Sequence, residues 1–124
     1  MLRSVLHSKI HMAAVTAALS DYHGSITIDG ELLDAAGLRA SDAVVVANSR
    51  TGARFETYIF RAERASRRIE VNGPAAHKVV VGDRLIIMHF ALVDEREYAQ
   101  HRPTVLLMRP DNSIEQIIRY EPDV

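Results

Sequence analysis

A glycine followed by a serine opens one of the predicted β-strands, in the segment Tyr22-His23-Gly24-Ser25. Both residue types are common at turns, so the pair alone is weak evidence of chemistry. A glycine nevertheless permits unusual backbone angles and lets a nucleophile approach its carbonyl carbon closely. The Ser25 hydroxyl could attack the Gly24 carbonyl if the backbone were held in strain. The attack would give an oxyanion that needs a hydrogen-bond donor, and then an ester.

Such an ester would open a route to a cofactor made from the chain itself. Loss of the acyl group from Ser25 by β-elimination, followed by hydrolysis, would leave a pyruvoyl group at a new amino terminus. A ketone of this kind withdraws electrons once it forms an imine with an amino acid. The Gly24–Ser25 bond is therefore the first candidate for a functional site.

The overall composition is that of an ordinary globular protein. Apolar residues make up 48% and charged residues 25% of 124 residues, and the formal net charge of −1 indicates neither a nucleic-acid nor a membrane partner. The absence of cysteine excludes disulfides, Cys nucleophiles and thiolate metal sites. Because no apolar run is long enough for a signal peptide or a transmembrane helix, we expect a cytoplasmic location.

The histidines raise the question of a metal site. They are scattered over different predicted strands, and neither Cys nor an H-x-x-x-H helix accompanies them, so we expect no metal. The 6 histidines are His7, His11, His23, His77, His89 and His101.

Strand-forming patterns dominate the chain. The continuous apolar run at residues 44–47 predicts a strand buried on both faces. Polar stretches at residues 48–52, 82–83 and 110–113 predict turns. Strands are predicted at residues 4–6, 13–16, 25–28, 44–47, 54–60, 68–71, 85–90, 104–108 and 114–119.

Short helices are predicted at residues 31–36, between a cap at Asp29 and a stop at Gly37, and at residues 94–100. The rest of the pattern is β. Because many short strands must hide their edges, we expect one mostly-β domain over residues 1–124 that closes into a small barrel.

Several short segments share their order and spacing with a known family. They are Met1-Leu2-Arg3, Lys9-Ile10-His11, Val15-Thr16, Tyr22-x-Gly24-Ser25, Ile28-Asp29, Leu33-Asp34-Ala35-Ala36-Gly37, Gly52-x-Arg54-Phe55-x-Thr57-Tyr58, Ala62-Glu63-Arg64, Val71-Asn72-Gly73-x-Ala75-Ala76-His77 and Gly82-Asp83. No single segment is decisive. Taken together they resemble the bacterial aspartate 1-decarboxylase family, most closely up to about residue 90.

The resemblance implies a six-stranded double-psi β-barrel with short helices, assembled as a homotetramer with active sites between neighbouring subunits. It implies conversion of L-aspartate to β-alanine and CO2, which feeds pantothenate and coenzyme A synthesis. The cofactor would be a pyruvoyl group derived from Ser25, formed when the chain cleaves itself into residues 1–24 and 25–124. Because some family members need an accessory protein to mature, a maturation factor is a further candidate partner.

The resemblance also implies roles for individual residues. Lys9 and Arg54 would hold the substrate carboxylates, and the arginine fork matches carboxylate geometry. Thr57 would donate a hydrogen bond to the Gly24 carbonyl oxygen during self-cleavage, and Tyr58 would return a proton after CO2 leaves. The other implied site residues, which line or shape the pocket, are Asn72, Gly73, Ala75, Ala76, His11 and Tyr22.

Strand periodicity constrains how these residues can meet. In a regular strand Arg54, Glu56 and Tyr58 share one face, whereas Phe55 and Thr57 share the other. For Thr57 and Tyr58 to serve one site, the strand needs a twist or a bulge, or the site needs two subunits.

Three positions differ from the family pattern, namely Asp21 beside the Tyr-x-Gly-Ser motif, Ala65 in place of a frequent glycine, and Pro74 in place of a frequent alanine. Asp21 and Pro74 bear on self-processing and on substrate preference. Alternative hypotheses are therefore a pyruvoyl decarboxylase acting on glutamate or another small acidic amino acid, and an uncleaved, non-catalytic barrel that acts as a binding module.

Overall fold

A computed structural model describes residues 1–122; residues 123 and 124, the last of the predicted domain, lie outside it. The elements are β1 (Arg3–Ala14), β2 (Ala17–Leu19), β3 (Ser25–Asp29), α1 (Gly30–Ala36), β4 (Ala43–Asn48), β5 (Arg54–Ala62), β6 (Ile69–Asn72), a 3-10 helix (Gly73–Lys78), β7 (Arg84–Val93), α2 (Glu95–Gln100), β8 (Thr104–Met108) and β9 (Ile114–Arg119). The expectation of a mostly-β protein with short helices is confirmed. No helix within the described range is long and apolar enough to cross a bilayer.

The strands form one nine-stranded sheet in the order β2-β6-β3-β5-β4-β7-β1-β8-β9. Strand β3, which begins at Ser25, is internal to this sheet. It pairs in parallel with β5 and antiparallel with β6. The candidate serine pairs with Asn72 in the β6 ladder, and the β5 ladder begins at the next residue, Ile26.

The core is built from aliphatic side chains on the inner faces of the strands. Each fully buried side chain of this kind contributes about 1.5–3 kcal/mol relative to an exposed one. Residues with no exposed surface include Ile10, Ile26, Ile28, Ile59, Ile69, Val71, Leu85, Ile87 and Leu106.

Helix α1 begins and ends as its sequence predicts. The Asp29 carboxylate accepts hydrogen bonds from the backbone N–H groups of Glu31, Ala65 and Arg67, so it caps the helix and also holds the loop before β6. Gly37 ends the helix with a φ of 73°, in the left-handed region that favours glycine.

The predicted boundaries of the first strands are wrong. Residues 4–6 and the first two of residues 13–16 belong to one strand, β1, which continues through polar residues and has register shifts at Leu6/Ser8 and His11/Ala13. At each register shift the side chains that follow change to the opposite face of the sheet. The alternation of polar and apolar residues is therefore interrupted, although the strand continues. The short strand β2 has too few residues to give a pattern.

One further expectation is corrected. Residues 44–47 are not buried on both faces, because β4 alternates between fully buried and half-buried or exposed positions. The pair Gly73-Pro74 begins a 3-10 helix, Gly73–Lys78. Sequence alone did not predict this helix, because Gly-Pro pairs begin turns and helices alike.

The predicted turn at residues 48–52 is confirmed, and it is tied to the turn at Asp83 by a buried network. The Asp83 carboxylate accepts hydrogen bonds from Arg50 Nε at 2.6 Å, from Asn48 Nδ2 at 2.8 Å and from the Val80 backbone N–H at 3.0 Å. These contacts, the Arg50 guanidinium foremost, hold the pKa of Asp83 far below its usual range. The network stabilises the end of the sheet at which β5 and β7 begin.

Candidate active site

Ser25 is buried, with 1% of its surface exposed, and it lies directly opposite Asn72 in the antiparallel ladder between β3 and β6. Asn72 Nδ2 donates hydrogen bonds to Ser25 Oγ at 2.9 Å and to Thr27 Oγ1 at 3.0 Å. The structure therefore brings the predicted nucleophile and a predicted pocket residue into direct contact. Thr27 is a third member of this group that sequence reasoning missed.

The segment before Ser25 is pressed against Gly73. Gly73 has a φ of 77°, and a Cβ atom there would lie 2.6 Å from Gly24 Cα, 2.9 Å from Gly24 N and 3.3 Å from the Tyr22 carbonyl oxygen. Gly24 itself does not have a positive φ, and nothing lies within 4 Å of the place a Cβ would occupy. The glycine with the special backbone conformation is therefore Gly73, whereas Gly24 is the residue it contacts.

The 3-10 helix places the remaining predicted pocket residues next to Asn72. Ala76 is buried and Ala75 is half-buried, so both face the domain. Pro74 is exposed and lies in the first turn of the helix, where a missing N–H removes no hydrogen bond within the helix. This departure from the family pattern is thus accommodated without breaking a backbone contact.

Strand β5 runs beside β3 in a register that can be continued to the candidate cleavage site. Ile26 pairs with Ile59 at the start of the β3–β5 ladder, and Thr57 and Tyr58 directly precede Ile59 just as Gly24 and Ser25 directly precede Ile26. The β4–β5 ladder has no register shift in this part of β5, so a bulge does not bring Thr57 and Tyr58 to one face.

The outer face of this region is partly aromatic. Tyr58, 40% exposed, packs edge-to-face against Phe60 with ring centroids 6.0 Å apart. A cavity of about 320 Å³ opens next to these strands. Its lining residues are Leu19, Tyr22, Thr27, Phe60, Arg61, Arg68, Glu70 and Asn72. Tyr22 therefore lies at the edge of a cavity whose inner end is formed by Asn72 and Thr27.

The predicted carboxylate-binding residues lie elsewhere in the same chain. Arg54 begins β5, four residues before Tyr58, which corresponds to about 13 Å along the strand. Lys9 and His11 are on β1, which follows β5, β4 and β7 in the order β3-β5-β4-β7-β1. None of the three residues pairs with a residue of β3 in the described ladders.

Arg54 and His11 nevertheless share a line across the sheet. Arg54 pairs with Ala47, Ala47 with Ile86, and Ile86 with His11. The same ladders join Glu56 to Lys9 through Val45 and Met88. The residues that separate Arg54 from His11 along this line, Ala47 and Ile86, are apolar.

The surroundings of His11 on β1 are positively charged. Burial lowers the pKa of His11, and the charges of Lys9 and Arg84 lower it further. His11 Nδ1 is buried and has no hydrogen-bond partner within residues 1–122. Lys9 and Arg84 thus place two positive charges near His11, and these charges favour the neutral form of its imidazole.

Two of the scattered histidines do meet. His7 Nδ1 lies 3.1 Å from His89 Nδ1, with the rings edge-to-face. Burial, followed by the charges of His89 and His101, lowers the pKa of His7. No three His, Asp or Glu side chains in residues 1–122 are grouped as they would be around a metal ion.

These features define a mostly-β protein in which a buried serine directly follows a glycine that is held by close backbone packing. The sequence model of the aspartate decarboxylase family matches residues 1–115. The chain belongs to this family.

Individual relatives agree with this assignment. The aspartate 1-decarboxylase of Geobacillus sp. (strain WCH70) is 46% identical over 122 residues, which cover 98% of this chain and 96% of the relative. The aspartate 1-decarboxylase of Bacillus pumilus is 47% identical with the same coverage, and that of Neisseria meningitidis is 46% identical. The similarity therefore includes the last third of the chain, where short motifs alone gave little.

Proposed function

We propose that this chain decarboxylates L-aspartate to β-alanine and CO2, for pantothenate and coenzyme A synthesis, with a pyruvoyl group made by cleavage between Gly24 and Ser25. The observation that carries the proposal is the buried contact between Ser25 Oγ and Asn72 Nδ2 at 2.9 Å, next to the close packing of Gly73 on Gly24. Membership of the aspartate decarboxylase family supports the substrate. The pyruvoyl group would supply an electron sink for the loss of CO2.

The residues around Ser25 fit a group of this kind. The buried Oδ1 atom of Asn72 has no hydrogen-bond partner among the described residues, and the side of Gly24 where a Cβ would stand is open. A small carbonyl group at position 25 would therefore have polar neighbours and space. The domain would then consist of two chains, residues 1–24 and 25–124.

Self-cleavage requires the Ser25 hydroxyl to attack the Gly24 carbonyl carbon. The new C–Oγ bond replaces the C–N bond and gives an ester; loss of the Ser25 Cα proton then breaks the Cβ–Oγ bond and releases the Gly24 carboxylate. The dehydroalanine left at position 25 becomes an imine, and its hydrolysis gives the pyruvoyl group and ammonia. The amide of Asn72 donates to Oγ, the atom that gains negative charge when the Cβ–Oγ bond breaks. The β3–β5 register supports Thr57 as the donor to the Gly24 carbonyl oxygen and Tyr58 as the general acid beside position 25.

Substrate binding would involve two chains. Arg54 lies four residues along β5 from Tyr58, and Lys9 is on β1, which is not a neighbour of β3 in the strand order. We therefore assign Lys9 and Arg54 to a site completed by a neighbouring subunit of a homotetramer. His11 would support Lys9 there, and Tyr22 with the segment Asn72, Gly73, Ala75 and Ala76 would shape the pocket.

One pair of residues supports the finer description of the fold. Thr16, just after β1, exchanges hydrogen bonds with Ile69 of β6: Thr16 N donates to Ile69 O at 2.8 Å, and Ile69 N donates to Thr16 Oγ1 at 3.0 Å. These bonds join the ends of the run β6-β3-β5-β4-β7-β1. They support a closed six-stranded double-psi β-barrel, with β2, β8 and β9 outside the ring.

The decisive experiment is mass spectrometry of the purified protein. We expect a 24-residue fragment that ends at Gly24 and a 100-residue fragment with a blocked amino terminus, out of 124 residues. Ser25→Ala should abolish cleavage, whereas Arg54→Ala should reduce decarboxylation much more than cleavage. A chain that stays intact under all maturation conditions, with cytoplasmic extract as a source of an accessory maturation protein, would support an uncleaved binding module instead.

A substrate comparison separates the two enzyme hypotheses. The kcat/KM for CO2 release should be higher with L-aspartate than with L-glutamate. The added methylene of glutamate shifts its second carboxylate away from the cation that binds it. A preference for glutamate, measured with fully cleaved protein, would contradict the proposed substrate and leave self-cleavage standing.

A further inference from the structure

Thr27 lies on the same face of β3 as Ser25, and both hydroxyls accept from one amide nitrogen. Asn72 Nδ2 is 2.9 Å from Ser25 Oγ and 3.0 Å from Thr27 Oγ1. All three side chains belong to residues that are more than nine-tenths buried. Because an amide nitrogen carries two hydrogens, the two contacts use its full donor capacity.

The orientation of the Asn72 amide depends on both hydroxyls. With nitrogen toward Ser25 and Thr27, both N–H groups are satisfied and only the buried Oδ1 lacks a partner. The opposite orientation would satisfy Oδ1 but would leave two N–H groups without acceptors. Since unpaired buried polar groups are costly, the observed orientation is favoured.

Removal of the Thr27 hydroxyl would weaken this preference. One N–H of Asn72 would then have no acceptor in either orientation, and the amide oxygen could turn toward Ser25. An amide oxygen can only accept a hydrogen bond, so it cannot stabilise negative charge on Ser25 Oγ. Such charge develops on Oγ when the Cβ–Oγ bond of the ester breaks to release the Gly24 carboxylate.

We propose that Thr27 is a positioning residue for self-cleavage: its hydroxyl holds the Asn72 amide nitrogen on Ser25 Oγ and so sets the rate at which the Cβ–Oγ bond of the ester breaks and the two fragments separate. This inference rests on the proposed function. It concerns a residue that contacts neither the scissile carbonyl nor the substrate carboxylates in the roles assigned above.

The test compares Thr27→Val, which keeps the shape and removes the hydroxyl, with Thr27→Ser, which keeps the hydroxyl. Fragment formation is followed by mass spectrometry from freshly made precursor. Thr27→Val should slow cleavage about tenfold, the effect of losing one hydrogen bond, and Thr27→Ser should stay within about twofold of the unmodified chain. Thr27→Ala, expected to be as slow as Thr27→Val, covers the case in which valine prevents folding.

Hydroxylamine provides a second readout that loss of stability alone would not move. It cleaves an ester under mild conditions that leave peptide bonds intact, so the amount of Gly24 hydroxamate reports how much ester has formed at Ser25. We expect more hydroxamate from Thr27→Val than from Thr27→Ser at equal folded fraction, measured by circular dichroism, because ester that is eliminated more slowly accumulates.

The outcomes separate the inference from the function on which it rests. If the unmodified chain cleaves and Thr27→Val cleaves as fast, or if Thr27→Ser is as slow as Thr27→Val, the role of the Thr27 hydroxyl is overturned and the proposed function stands. If the unmodified chain never cleaves, the proposed function itself is overturned.

Discussion

Gly73 packs on Gly24 so closely that a Cβ atom at position 73 would lie 2.6 Å from Gly24 Cα. This distance is shorter than any ordinary contact between carbon atoms, so Gly73→Ala must displace the segment that contains the scissile bond. The positive φ of 77° adds a strain of about 1–2 kcal/mol for a residue with a side chain. We expect Gly73→Ala to slow self-cleavage by about tenfold or more, measured by mass spectrometry.

Gly52→Ala is the matched control for that experiment. Gly52 has the same φ of 77°, but no atom lies within 4 Å of the position of its missing Cβ. It should lose a similar amount of stability from strain and still cleave at the normal rate. Equal cleavage rates for the two variants would show that the contact between Gly73 and Gly24 has no role in processing.

A mixed assembly tests whether Arg54 acts on the Ser25 of another chain. When Ser25→Ala and Arg54→Ala chains are co-expressed, some sites combine an intact Ser25 from one chain with an intact Arg54 from its neighbour. Random mixing should restore about one quarter of the decarboxylase activity, while either variant alone stays inactive.

The control for the mixed assembly combines variants of two residues that are in contact within one chain. Ser25→Ala mixed with Asn72→Ala should recover nothing, because Asn72 Nδ2 donates to the Ser25 Oγ of its own chain. Native mass spectrometry should first show that Ser25→Ala and Arg54→Ala chains form mixed oligomers. If these oligomers recover no activity, Arg54 and Ser25 of one site belong to the same chain, which contradicts the two-chain site.

Asp83 should make stability depend on pH in the acid range. Its pKa is depressed in the folded state, chiefly by Arg50, so its contribution is complete above the unfolded value of about 3.9 and is lost as pH falls below it. Asp83→Asn should lower the free energy of unfolding by about 1–3 kcal/mol at pH 7 and flatten its fall below pH 4, in urea titrations.

Asp111→Asn serves as the comparison for Asp83. Its hydrogen bonds with Ser113 and the charge of Arg67 lower the pKa of Asp111 to about 2, but 62% of its side chain is exposed. Because water screens an exposed pair, Asp111→Asn should change stability less than Asp83→Asn at every pH. The reverse order would mean that the buried network is not the main acid-sensitive element.

Asn112 should be the most sensitive position in the β8–β9 turn. It is buried and accepts from Ala14 N at 2.7 Å, while its Nδ2 donates to Ala14 O at 2.9 Å and to Arg67 O at 3.0 Å. Asn112→Ala should cost about 2–3 kcal/mol in chemical denaturation, because it leaves buried backbone groups unpaired.

Asn112→Gly distinguishes the hydrogen bonds from the backbone conformation. The φ of Asn112 is 63°, which glycine adopts without strain. We expect Asn112→Gly to be nearly as destabilising as Asn112→Ala, since both lose the same three contacts. A glycine variant as stable as the unmodified chain would show that only the backbone angle matters.

Local features of the fold could be predicted wherever neighbours in sequence decide the conformation. The cap at Asp29, the stop at Gly37 and the turn at residues 48–52 depend on hydrogen bonds over a few residues, and all three are found as predicted. The boundaries of β1 could not be predicted, because its register shifts depend on the partner strand β7.

The sequence by itself determined the family, the mostly-β class, and the candidate bond between Gly24 and Ser25, because these follow from residue types and their spacing. Only the tertiary structure decided that Asn72 faces Ser25, that Thr27 shares its amide, and that Gly73 rather than Gly24 has the left-handed backbone. The physical reason is strand register: a shift of one residue turns every side chain to the other face, and the register is set by packing between distant segments.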